Sequence, residues 1–68
     1  MTFGERLKEC RQYNWLSIRG LSEISGVSVV CIQGYEENRN DPPLSKVICL
    51  AKALGVSIDY LAGLSDKK

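Results

Sequence analysis

The chain has 68 residues, 44% of them hydrophobic, and nine basic against eight acidic residues give a formal charge of +1. One domain of this size buries only about 60% of its unfolded surface, so its stability rests on tight helix packing or on association. No apolar run approaches the roughly 18 residues of a membrane span, no secretory leader pattern follows Met1, and the near-neutral charge leaves the choice of partner to how charge is distributed.

Thr2 and Glu5 make a Thr-x-x-Glu capping box, which predicts a first helix with Phe3, Leu7 and Cys10 on one face and a frayed end near Tyr13-Asn14. Ser17 caps a second helix that turns Leu21 and Ile24 inward and stops at Gly26. Gly20 within it costs about 1 kcal/mol relative to alanine, while the small Ser22 and Ser25 let a neighbouring helix approach. Ser28 caps a third helix whose buried side is Ile32 and Tyr35. The segment from Glu37 to Pro43 is a turn by composition, with Asn38 suited to the left-handed conformation just past the helix end. A fourth helix carries Leu44, Val47, Leu50, Ala51 and Leu54 inward before Gly55 stops it. Ser57 starts a last short helix, Ile58 to Ala62, ending at Gly63, and residues 65–68 form a flexible tail.

No apolar–polar alternation of strand length occurs, so the class is all-α with five short helices. The three cysteines, Cys10, Cys31 and Cys49, are widely spaced, and the chain has no histidine. That set argues against a zinc site, a disulfide framework and a cysteine–histidine nucleophile, and it points to a reducing cytoplasm. Cys10 and Cys31 are expected to act as small buried or half-buried hydrophobes. With no paired carboxylates at a suggestive spacing and no glycine-rich phosphate loop, no enzyme, cofactor, metal or small-molecule substrate is expected.

The second helix, the Gly26-Val27 turn and the third helix form two short helices joined by a tight glycine-containing turn, a helix-turn-helix over about residues 17–36. The stretches FGERLKECR at 3–11, LS at 16–17, LSEISGVS at 21–28, IQGYEEN at 32–38 and LAKALGVSIDYLAGL at 50–64 follow in register. From Phe3 through Leu64 the chain resembles the lambda-repressor-like helix-turn-helix proteins of the Xre/Cro type. The resemblance implies a five-helix DNA-binding domain over residues 1–64. It implies a transcriptional regulator of repressor kind, bound as a homodimer to a palindromic site in double-stranded DNA. Two third helices would then enter successive major grooves about 34 Å apart. It further implies an ion pair between Arg11 and Glu36, and a dimer interface involving Ile58, Tyr60 and Leu61. The end soon after the fifth helix fits either the N-terminal domain of a longer repressor or a complete small regulator.

On this reading phosphates are held at the start of the second helix, by Ser17, Ile18 and Arg19, and by Asn38, Arg39, Asn40 and Lys46. The base-facing positions are Ser28, Val29, Val30, Gln33 and Gly34, with Cys31 nearby. Only Gln33 offers bidentate hydrogen-bonding chemistry; Val29 and Val30 can pack only on thymine methyl groups. Ile18 stands where the family often has glutamine, so Ile18, Val29 and Val30 are expected to form an exposed apolar patch. The alternative function is therefore a protein-binding module that buries this patch against a protein partner. Trp15 replaces a frequent glycine of the family, and Asn14 is expected to take the left-handed conformation instead, leaving Trp15 to cover the core.

Overall fold

The computed structural model describes residues 1–68 and contains helices α1 (Phe3–Tyr13), α2 (Ile18–Ser25), α3 (Val29–Glu36), α4 (Leu44–Leu54) and α5 (Ile58–Leu61), with no strand. Four of the five begin where a side chain takes over an orphaned backbone amide. The Thr2 hydroxyl accepts from the Glu5 amide at 3.1 Å, and the Glu5 carboxylate accepts from the Thr2 amide at 2.9 Å, closing the capping box. Ser17, Ser28 and Ser57 accept from the amides of Gly20, Cys31 and Tyr60 at 2.9, 3.2 and 3.0 Å. At α4 the N-cap is Pro43, with no side-chain cap. Gly26 (φ 78°) and Gly55 (φ 69°) end α2 and α4 in the left-handed region, where a Cβ would be strained.

The core gathers Leu7 and Cys10 of α1, Leu21 of α2, Val27 of the turn, Ile32 and Tyr35 of α3, Leu50, Ala51 and Leu54 of α4, and Tyr60 and Leu61 of α5. Helix α1 packs on α3 and α5, and α2 packs on α3 and α4. The first contact depends on Gly4, a residue the sequence reading passed over. A Cβ there would run into the Tyr35 carbonyl oxygen and lie 2.9 Å from that of Glu36 and 2.7 Å from Asn38 Oδ1. The first turn of α1 thus rests directly on the backbone at the end of α3.

Several expected orientations change. Ile24 is exposed, because Val27 in the turn, and not Ile24, supplies the second buried apolar side chain of this helix pair. Leu44 is exposed at the first turn of α4, whose buried side begins in earnest at Leu50. The left-handed residue between α1 and α2 is Trp15 (φ 58°), not Asn14 (φ −91°), and the indole is 95% exposed instead of covering the core. The cause lies in Asn14. Its side-chain amide donates to the carbonyls of Cys10 at 2.8 Å and Leu54 at 3.4 Å, tying it between α1 and α4. The reversal falls one residue later, and Leu16 packs against the core in place of the indole. At the other end of the chain, the Ser57 amide donates to the Lys68 carbonyl at 2.7 Å, and the Lys68 ammonium lies 3.5 Å from the centre of the Tyr13 ring.

Candidate nucleic-acid interface

Helix α3 is set in place by a near-buried ion pair. Arg11 Nε donates to Glu36 Oε2 at 2.7 Å and Nη2 donates to Oε1 at 3.1 Å, with the two side chains only 12% and 5% exposed. Arg11 Nη1 also donates to the Leu16 carbonyl at 2.8 Å. One guanidinium therefore joins α1, the α1–α2 turn and the last turn of α3 through three hydrogen bonds. An arginine fork suits this role because its donors lie in one plane and match a carboxylate two at a time.

With Ile32 and Tyr35 directed inward, the opposite arc of α3 is left to solvent. Val30 is 74% and Val29 38% exposed, and Gln33 is exposed beside them. Ser28 is exposed, with its hydroxyl committed to the Cys31 amide, and Cys31 is half-buried against the core. Gly34 departs from the base-facing role expected of it. It is buried, its carbonyl accepts from the Arg39 and Asn40 amides at 2.9 and 3.4 Å, and a Cβ on it would lie 2.6 Å from Asn40 Nδ2. The turn after α3 has folded back over it. The available signal was the glycine itself, which in a helix costs about 1 kcal/mol and calls for a reason.

Around this arc, Ser17 and Arg19 are exposed at the start of α2, and Asn38, Arg39 and Asn40 are exposed in the α3–α4 turn. Asn38 takes φ 59°, the left-handed conformation that reverses the chain there. Arg39 Nε lies 3.1 Å from Glu37 Oε1 with both side chains more than half exposed, a pairing worth at most about 1 kcal/mol and readily exchanged for a stronger anion. Lys46 is half-buried in the first turn of α4. Ile18 does not join an exposed patch, because it packs partly against the core; the apolar surface of the site is reduced to Val29 and Val30.

The expected association surface also changes. Tyr60 and Leu61 are buried within the single chain, so of the three residues only Ile58 offers an exposed side chain. Helix α5 is one turn long, and its inward residues are used to close the core against α1. Arg6, whose part sequence reasoning missed, fixes this corner: its guanidinium lies 4.1 Å from the centre of the Tyr60 ring and donates to the Tyr60 carbonyl at 3.2 Å. A cleft of about 390 Å³ lies between the ends of α1 and α4, lined by Cys10, Tyr13, Leu54, Val56 and Tyr60 among others. Burial, with the neighbouring Glu9 adding to it, pushes the Cys10 thiol above its ordinary range, which makes it a poorer nucleophile.

These elements define an all-α, lambda-repressor-like domain built around a helix-turn-helix whose second helix presents an exposed face. The Helix-turn-helix family matches residues 7–61, and the chain belongs to that family as an Xre/Cro-like member. It is 37% identical over 62 residues to the uncharacterized HTH-type transcriptional regulator YobD of Bacillus subtilis (strain 168), covering 91% of this chain and 55% of YobD. The chain thus spans little more than half the length of the curated relatives it matches. Among solved structures it is similar to the restriction-modification controller protein C.AhdI from Aeromonas hydrophila, with 32% identity and a TM-score of 0.84 over 87% of this chain and 89% of that one. It is also similar to the P22 c2 repressor protein in complex with a synthetic operator, with 31% identity and a TM-score of 0.88 over 96% of this chain and 98% of that one.

Proposed function

We propose that this domain binds double-stranded DNA as a transcriptional regulator of repressor kind, with α3 in the major groove, and that it has no catalytic role. One observation carries the reading: nearly the whole chain follows a repressor whose structure was determined on operator DNA. The solvent-facing arc of α3, held by Arg11 and Glu36, fits the same role. The amides at the start of α2, around Ser17 and Ile18, serve one phosphate, and Arg19, Asn38, Arg39 and Lys46 serve others. Val29 and Val30 meet thymine methyl groups, and Gln33 a base edge. The domain works in the cytoplasm as a homodimer on a palindromic operator, its half-sites about one helical turn apart. With few cations per subunit, affinity falls with salt along a modest slope.

Selecting bound duplexes from a random pool at low salt tests this directly. A palindromic motif containing thymine at the positions under Val29 and Val30 is expected; a pool without enrichment refutes the reading. The exposure of Val29 and Val30 also suits a protein partner, with these two residues at the centre of its contact. Replacing both by serine separates the two readings. Loss of the thymine preference supports DNA, whereas unchanged DNA affinity favours the protein-binding module.

A further inference from the structure

Helix α3 carries little hydrogen-bonding chemistry for the role proposed above, since its exposed positions are Val29, Val30 and Gln33, and Gly34, one turn beyond Val30, is buried under the side chain of Asn40. At roughly 100° per residue, Val29, Gln33, Val30 and Gly34 succeed one another across a single arc. Val30 and Gly34 are neighbours one turn apart, with about 5–6 Å between side-chain origins. The atoms nearest a Cβ on Gly34 all belong to Asn40: Nδ2 at 2.6 Å, Cγ at 3.6 Å and Cβ at 4.0 Å. The amide of Asn40 therefore lies where a side chain at position 34 would begin, beside Val30. Backbone geometry keeps it there, because the left-handed Asn38 reverses the chain and the Arg39 and Asn40 amides both donate to the Gly34 carbonyl. Asn40 is exposed, and its side-chain amide takes part in none of the domain's side-chain hydrogen bonds. Its donor and its acceptor are both free.

We propose that Asn40 is a specificity-determining residue, an amide lent by the α3–α4 turn that replaces the missing side chain at position 34 and reads a base edge. An amide's paired donor and acceptor match N6 and N7 of adenine in the major groove. Gly34 is the positioning residue that leaves the space. The assignment rests on the DNA-binding reading, and it moves Asn40 from the phosphate contact expected of it to a base contact.

Selection from random duplexes, run in parallel on wild type, Asn40→Ala and Gly34→Ala, tests it. Asn40→Ala is expected to weaken discrimination at one base pair of the motif by about 5- to 150-fold, leaving the other positions unchanged. Gly34→Ala adds a methyl that displaces the flexible amide while favouring the helix. It is expected to remain folded by circular dichroism and to lose preference at the same base pair. A wild-type motif that Asn40→Ala leaves intact, or a loss of affinity equal on all sequences, overturns the assignment and leaves DNA binding standing. A wild-type pool without any motif overturns the DNA-binding reading, and the assignment with it.

Discussion

Replacing Glu36 by glutamine keeps the shape of the side chain and removes its charge from beside Arg11. The guanidinium loses its charged partner at 2.7 and 3.1 Å; the glutamine oxygen accepts one of those two hydrogen bonds, the amide nitrogen opposes the other donor, and the Leu16 carbonyl at 2.8 Å is unchanged. Removing one partner of a buried pair costs about 3–5 kcal/mol, because the other charge is stranded. Water reaches the rim of Arg11, which is 12% exposed, so the lower end, about 3 kcal/mol, applies. At roughly 0.05–0.15 kcal/mol per residue, a domain of this length holds only about 3–10 kcal/mol in total. The substitution thus removes about 30% or more of its stability. Followed by circular dichroism, the melting midpoint is expected to fall by roughly 12–24 °C, taking about 4–8 °C per kcal/mol for a small domain. A combined Arg11→Met and Glu36→Leu replacement should recover most of the loss, since a buried ion pair exchanged for apolar groups of similar volume is often neutral. A Glu36→Gln midpoint within about 4 °C of wild type would refute the reasoning, because the pair would then be worth no more than an exposed one.

Gly4→Ala gains up to about 1 kcal/mol in helix propensity. It sets a methyl against backbone carbonyls that cannot move aside, so urea denaturation should show a net loss of about 2 kcal/mol or more; a neutral result would mean α1 and α3 are not this close. Trp15→Gly relieves a left-handed residue at about 1–2 kcal/mol and loses no buried surface. After the glycine's extra unfolded-state entropy, a gain of roughly 0.5–1 kcal/mol should remain, whereas a lower melting midpoint would show that the indole packs on the core. Burial raises the Cys10 thiol above its ordinary range, and burial followed by the neighbouring Cys31 raises the Tyr35 phenol. Both groups therefore ionise first in the unfolded chain. Their contribution is complete below the unfolded values, roughly 8.5 and 10, and is lost as pH rises through the higher folded ones. Urea midpoints from pH 7 to about 11 should fall at the alkaline end, and a flat profile would contradict the burial of both groups.

Much of the fold was legible in local chemistry. The caps at Thr2, Ser17, Ser28 and Ser57 and the reversals at Gly26, Asn38 and Gly55 each depend on groups within a few residues of one another, so the chain itself specifies them. Periodicity also picked most of the core, since Leu7, Cys10, Leu21, Ile32, Tyr35, Leu50, Ala51 and Leu54 are buried as their spacing implies. The pairing of Arg11 with Glu36 came from family resemblance, because nothing local connects residues 25 positions apart.

Tertiary structure decided which apolar stripes meet a partner and where backbones come too close for a side chain. Spacing turns Ile24 and Leu44 inward and the family resemblance puts Ile18 on the exposed face, but only the placement of neighbouring helices leaves the first two in water and draws the third partly inward. The same holds for Tyr60 and Leu61, which a one-turn helix must commit to the core before any second chain can reach them. Gly4 gives no local sign of its part, and Gly34 falls on the base-facing arc, until α1 is set on the end of α3 and the Asn40 amide is set over α3. Burial depends on the arrangement of all five helices together, whereas a cap or a reversal depends on one short stretch of chain.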